Sequence, residues 1–312
     1  MKQIMTNFTE YASILEAEVV TIHTLVGYFK KEQMDYDEHG NIFIGFNKET
    51  KKLPILVAHL DNVLHGNRTP VWSLNGRRLM GKTAGIGFDD KAGIIGIIEL
   101  WKHFKKQEFR IIFTTDEETG GQGARAMDKQ RIKDAKWMLE LDRKNGKDFI
   151  QTSGSVKLCS DEFAQKFLDL GFKKAQGTFT DVNVFKEHAY NVNMANISIG
   201  YYNPHTDNEY LDTVEFNEII NHIAEFISKK YEFKDDEKPQ ATSYYKSGPN
   251  WWWNDDDRQP VSRKVWGNCW CCGKDTYQEP GLDGEMFCSN ACKEEYEEVM
   301  KEEEDAAKKQ NR

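Results

Sequence analysis

The chain has 312 residues, 39% hydrophobic and 30% charged, with a formal net charge of −9. This composition excludes wholesale disorder, and the acidic balance argues against sequence-independent binding to nucleic acid by the whole chain. The opening MKQIMTNFTEYASILEAEVV is interrupted by Glu10, Glu16 and Glu18, so neither a signal peptide nor a membrane span is expected there.

In chain order, residues 8 to 30 space Leu15, Val19, Ile22, Val26 and Phe29 four and three apart, which predicts one helix covering a sheet. Tyr36 to Phe46 predicts a hairpin turning at His39, Gly40 and Asn41. PILVAH predicts a strand ending at His59, followed by an excursion through Val71 to Met80 and a glycine-rich approach (Gly81, Gly85, Gly87) to Asp89. DDKAGIIGIIELWKHFKK then predicts a helix that buries Ile94, Ile95, Ile98, Trp101 and Phe104. Strand, helix and strand follow through Glu118, Gly120 to Gln130 and Trp137 to Asp142. Helices are expected at Asp161 to Phe172 and Asp181 to His188, a strand at Asn193 to Tyr201 and a last helix at Val214 to Tyr231. The alternation predicts an α/β fold: a three-layer, mostly parallel sheet with helices on both faces.

Beyond this unit, spanning 1–232, residues 233–265 lack periodicity and read as a linker, with Trp251 to Trp253 as a hydrophobic anchor. Five of the six cysteines crowd into the region that follows. Such clustering reads as metal binding in a reducing compartment, with the cytoplasm as the expected address. Cys269 and Cys272 form a CxxC, and Cys288 and Cys292 supply a second pair, so 266–295 is expected to be a four-cysteine module folded by one structural zinc. It resembles small treble-clef or ribbon zinc modules, with the first pair on a hairpin turn. Residues 296–312 read as a charged helix or tail. Given that acidic tail, the module is expected to contact protein if it contacts anything. Cys159 reads as a buried thiol.

The chemistry concentrates at the ends of the apolar runs. In an open α/β sheet, ligands bind in the crevice beyond the carboxyl ends of the strands. His59, Glu117, Glu118, Asp142 and His205 all follow such runs, and Asp89 lies in the glycine-flanked turn GFDDKAG. Two imidazoles and several carboxylates meeting in one crevice suggest a zinc site, and a carboxylate able to bridge makes it a two-zinc site. Asp61, two residues past His59, lies where it can orient that ring. Of the adjacent pair Glu117 and Glu118, one can ligate metal while the other acts as a general base. An isolated Asp89 would be read as a helix cap. His23, His39, His103, His188 and His222 are read as surface or turn groups, and His65 as a residue that could line a cleft.

HLD at 59–61, NGRRLMGKTAGIGFDDKAGI at 75–94, TTDEETGGQGA at 114–124, the strand end at Asp142, TDVNVF at 180–185 and GYYNPHTDNEYL at 200–211 resemble the co-catalytic di-zinc exopeptidases, a clan of aminopeptidases, tripeptidases, carboxypeptidases and related deacylases. The resemblance covers roughly residues 5 to 230. It implies two zinc (or manganese or cobalt) ions bridged by Asp89, one completed by Glu118 and His205, the other by His59 and Asp142. It further implies Glu117 as the base that deprotonates the bridging water, Asp61 behind His59, and a cis peptide bond between Asp89 and Asp90. Relatives carry lid or assembly insertions after the first histidine or the third carboxylate, and both intervals are too short for one here. The expected function is a metal-dependent exopeptidase, aminopeptidase-like, acting on small peptides or amides. The alternatives are an N-acyl amino acid deacylase and a silent adaptor on the same scaffold. Asp181 and Glu209 are candidates for recognising a substrate amino group.

Overall fold

Buried strands form where the apolar runs predict them. The computed structural model describes residues 2–46, 52–63, 69–72, 76–82, 84–104, 106–177, 179–233, 265–268 and 275–278. The chain divides into two units, Met1–Thr242 and Ser243–Arg312. In the first, the strands are β1 (Met34–Tyr36), β2 (Ile42–Ile44), β3 (Ile55–His59), β4 (Pro70–Trp72), β5 (Arg78–Gly81), β6 (Arg110–Thr114), β7 (Met138–Arg143), β8 (Asp148–Ser153), β9 (Val156–Lys157), β10 (Lys173–Gly177), β11 (Met194–Ser198), β12 (Tyr201–Tyr202) and β13 (Tyr210–Asp212). The helices are α1 (Ala12–Leu15), α2 (Ile22–Leu25), α3 (Phe88–His103), α4 (Gln122–Ala126), α5 (Asp161–Asp169), α6 (Asp181–His188) and α7 (Thr213–Lys229).

The main sheet runs β1-β2-β6-β3-β7-β11-β8-β10, with β9 paired to β8. Its centre is parallel: β3 pairs in parallel with both β6 and β7, and β11 with β7. Strand alternation sends successive side chains to opposite faces, and this builds two cores. Leu56, Ala58, Ile111, Phe113, Leu139, Leu141 and Ile197 face α3, α5, α7 and the amino-terminal segment. Val57, Ile112, Met138 and Met194 face α4 and α6. The result is the expected mixed, mostly parallel α/β architecture with helices on both faces. A separate four-stranded sheet, β12-β13-β5-β4, carries the 203–209 loop.

Two expectations change. The single amino-terminal helix is instead the short pair α1 and α2, with Val19 and Val26 about half exposed. The buried Lys91 ammonium donates to the carbonyls of Leu15 (3.1 Å) and Ala17 (2.5 Å), and so ends α1. Val20 N–H then donates to Leu60 O, and the β-branched run Val19 to Ile22 favours the extended path between the helices. The strands β8 and β10 carry no apolar signal strong enough to predict. The latter reads KKAQG, a polar strand of the kind that protects a sheet edge. In the second unit, Val265–Asn268 (β14) and Asp275–Gln278 (β15) pair antiparallel. Cys269, Cys272, Cys288 and Cys292, Trp251 to Trp253, His65 and residues 296–312 lie outside the described residues.

Close approach of α3 to β7 sets the floor of the crevice. A Cβ on Gly93 would lie 2.3 Å from the Leu141 carbonyl oxygen and 2.4 Å from the Asp90 carboxylate. Replacing a helix-interior glycine by alanine ordinarily stabilises by about 1 kcal/mol. Here the added atom meets backbone, so Gly93→Ala is expected to destabilise by about 1–3 kcal/mol, measured as a lowered urea midpoint at unchanged slope.

Candidate active site

All six acidic and histidine positions marked by the strand-end argument converge at the carboxyl end of the parallel strands. His59 ends β3 and is fully buried, while Asp142 lies near the end of β7. Asp89 stands in the turn opening α3, and its peptide bond to Asp90 is cis. Asp89 Oδ1 lies 3.1 Å from His59 Nε2, and Oδ2 lies 3.1 Å from His205 Nε2. Asp142 Oδ1 is 3.5 Å from His59 Nε2, and Glu118 Oε1 is 3.0 Å from His205 Nε2. The two imidazoles thus face the two oxygens of one carboxylate, each with a second carboxylate beside it. Asn203 and His205 adopt left-handed backbone, which turns the 203–209 loop sharply over the cluster.

These separations fit cation ligation. Ligands held about 2.0–2.1 Å from a tetrahedral ion are about 3.3 Å from one another. Glu118 Oε1 is buried and makes no hydrogen bond although His205 Nε2 is 3.0 Å away, which suits two ligands of a common ion better than a donor and acceptor. His59, Asp89 and Glu118 offer one group of mutually close ligand atoms, and His59, Asp90 and Asp142 another. Asp90 is nevertheless committed elsewhere: its carboxylate accepts from His59 N–H (3.2 Å) and Gly93 N–H (3.0 Å), so it ties β3 to α3.

The electrostatics are those of crowded anions. Burial works against the His59 cation, yet the carboxylates of Asp142, Asp61 and Asp89 hold its pKa well above the usual imidazole range. Hydrogen bonding to Asp89 and Glu118 pushes His205 up to about 10. Asp142 is pushed up to about 7 by burial and by the Asp89 charge. Burial and the Asp142 charge push Glu117 up to about 10. Positive charge in the cluster acts against these upward shifts of the carboxylates.

Behind the cluster, the roles differ in detail from those expected. His59 Nδ1 lies 2.9 Å from the backbone carbonyl of Asp61, whereas the Asp61 carboxylate is 3.5 Å away. That carboxylate instead accepts from the N–H groups of Glu117 and Glu118, both at 3.2 Å, and so locks the pair that follows β6. Glu209, a candidate for substrate contact, is fully buried and turned into the Gly87–Asp89 turn. Its carboxylate accepts from Gly87 N–H at 2.6 Å and Asp89 N–H at 3.2 Å. Asp181 is also fully buried and is not among the residues lining the cavity over the cluster.

Sequence reasoning missed Glu140, buried beneath Asp142, where Thr180 Oγ1 donates to it at 2.6 Å. The signal was present in WMLELD: a second carboxylate two residues before Asp142 shares its face. Asn196, whose Oδ1 accepts from Asp142 N–H at 3.2 Å, and Tyr201, whose hydroxyl donates to Asp142 O at 3.1 Å, carried no comparable signal. The helical histidines His23, His103, His188 and His222 and the turn residue His39 line no part of this cavity, and Cys159 is a free, buried thiol. Glu209→Gln sets an amide donor against backbone N–H groups, a loss of about 1–3 kcal/mol. The variant is expected to melt earlier and to bind divalent cations about 10–100-fold more weakly by calorimetry.

The sequence profile of Peptidase family M20/M25/M40 matches residues 55–229, from β3 to the end of α7. No curated protein is similar enough in sequence to match the chain. Among solved structures, the chain resembles aminopeptidase PepT from Bacillus cereus at 15% identity and a TM-score of 0.57, covering 70% of this chain and 97% of that one. It resembles a tripeptidase from Staphylococcus aureus at 13% identity and a TM-score of 0.58, over 71% and 97% of the respective chains. It also resembles the TET1 peptidase of Pyrococcus horikoshii at 15% identity and a TM-score of 0.51, over 66% and 92%. At these identities the structural likeness is one of fold. The profile covers more than half of the chain and includes every histidine and carboxylate of the cluster, and the protein therefore belongs to Peptidase family M20/M25/M40, hydrolases of peptide bonds.

Proposed function

We propose that the chain is a divalent-metal exopeptidase, aminopeptidase-like, that removes residues from short peptides. One observation carries the reading: each oxygen of Asp89 faces a different imidazole at 3.1 Å, with Glu117 lining the same cavity. His59, Asp89 and Asp142 would hold one cation, and Asp89, Glu118 and His205 the other. Zinc, manganese and cobalt all suit this mix of nitrogen and oxygen ligands. Bound there, the pair supplies Lewis-acid polarisation of the scissile carbonyl and makes a water more acidic. The chain's own residues do the rest. Glu117 takes a proton from the attacking water and passes it to the amide nitrogen of the leaving group, which departs as an amine. Asp61 fixes the Glu117 backbone for that transfer. Glu209, through the Gly87 and Asp89 amides, keeps Asp89 between the histidines.

The amino-terminal preference is supported by the names of the structural relatives, an aminopeptidase and a tripeptidase. Among the described residues, no helix is long and apolar enough to cross a membrane. The crowded thiols favour a reducing compartment, the cytoplasm. For the second unit, we read Cys269, Cys272, Cys288 and Cys292 as ligands of one structural zinc in a module that docks a protein partner. The antiparallel pairing of Asn268 with Asp275 supports a hairpin turn around the first cysteine pair.

Two measurements test this function. Protein loaded with zinc, manganese or cobalt is expected to cleave peptides with free amino termini in preference to N-acylated ones. The reverse order would favour a deacylase, and full loading with no turnover would favour an adaptor. Glu117→Gln is expected to keep its metal while kcat falls roughly 10²–10⁴-fold. Separately, zinc content by mass spectrometry is expected to be three ions per chain, falling to two in Cys269→Ser/Cys272→Ser. Unchanged content in that variant removes the reading of a four-thiolate zinc site.

A further inference from the structure

The cavity over the cluster holds about 250 Å³, slightly below the roughly 300–1,000 Å³ of typical ligand pockets. It therefore suits a small ligand. Its wall is not uniformly acidic. Arg143 and Lys144, the two residues after Asp142, line it together with the carboxylates, and Ile150 and Phe179 add apolar surface. Arg143 Nε binds Asp148 Oδ2 at 3.3 Å, and Asn145 Nδ2 donates to the same oxygen at 3.1 Å. Among the described residues the two terminal guanidinium nitrogens of Arg143 make no ion pair, and neither does the exposed Lys144 ammonium. Lys144 and the terminal nitrogens of Arg143, whose Nε is held by Asp148, thus stand without an ion pair among the described residues on the wall of a pocket crowded with carboxylates.

That arrangement suits an anion carried by the substrate itself. A guanidinium with both terminal nitrogens available can take a carboxylate through two parallel hydrogen bonds, and an ammonium adds a point charge beside it. The reach agrees. Arg143 follows Asp142 at the end of β7 and Lys144 comes next at a bend, so at about 3.3 Å per residue the pair stands at most roughly 7 Å along the chain from Asp142. A bound peptide advances about 3.3–3.6 Å per residue. One or two residues beyond the scissile carbonyl therefore bring a terminal carboxylate level with the cation pair. Resting on the peptidase reading above, we propose that Arg143 and Lys144 form a subsite for the C-terminal carboxylate of the substrate, which restricts the enzyme to di- and tripeptides with a free carboxyl terminus.

The test uses the metal-loaded full chain and pairs of di- and tripeptides that differ only in a free or amidated carboxyl terminus. The wild type is expected to prefer the free acid by at least 10-fold in kcat/KM, with the difference in KM. Lys144→Gln changes an exposed side chain with no ion-pair partner among the described residues, so its folding is not in question. It is expected to reduce the preference 3- to 10-fold through KM, and Lys144→Arg to retain it. Arg143→Gln/Lys144→Gln is expected to bring the ratio near one. Equal hydrolysis of acid and amide by the wild type overturns the subsite while leaving the peptidase reading intact, as does a preference undiminished in both glutamine variants. No hydrolysis of any peptide by the metal-loaded wild type overturns the peptidase reading and the subsite with it.

Discussion

The functional cluster depends on one constrained turn. Asp89 can present an oxygen to each histidine only because its backbone is held from two sides. From one side, Glu209 reaches back from the loop that carries His205 and takes the Gly87 and Asp89 amides. From the other, Asp90 binds the amide of His59 and the Gly93 amide one turn into α3. The two imidazoles thus come from elements that are each hydrogen-bonded to the same four-residue segment. Gly87, with its left-handed backbone (φ +78°), lets that segment bend, and a Cβ there would also press on the Asn62 side chain at 3.0 Å.

Anionic crowding gives this arrangement its chemical direction. Asp89, Glu117, Glu118, Asp142, Glu140 and Asp181 all lie in or immediately behind the crevice, several of them buried. Buried carboxylates are strongly unfavourable unless paired or bound to a cation. Helix α6 brings Thr180 and the Val182 amide to Glu140, which satisfies one of its oxygens and leaves the other, Oε1, without a hydrogen bond. Such a site is poorly suited to staying empty of positive charge. That property supports the proposed metal dependence more directly than any single residue does.

Much of this was legible in the sequence, because buried parallel strands announce themselves as uninterrupted apolar runs whose next polar residue lies at the crevice. PILVAH, FRIIFTTDEE and WMLELD each place a site residue in this way, and helix α6 begins at the expected Asp181. What escaped was set by long-range contacts. The amino-terminal stripe from Leu15 to Phe29 has helical spacing, yet Lys91, distant in sequence, claims the carbonyls that would have continued the helix. Glu209 read as a substrate ligand because its motif neighbours His205, but only the folded turn shows that backbone amides occupy it. The polar strand β10 lacks apolar alternation, since an edge strand has less surface to bury.

The two histidines differ in what surrounds them. His59 has a side chain fully enclosed by the central strands, whereas the His205 side chain is 46% exposed. This contrast gives the crevice a front and a back. At the rear, the ends of β3 and β7 hold His59 and Asp142 with little side-chain exposure, 0% and 9%. The loop between β12 and β13 forms the open lip, with Pro204 and His205 on the cavity. Ligand exchange at Asp89 is therefore freer on the His205 side, which borders solvent, than on the enclosed His59 side.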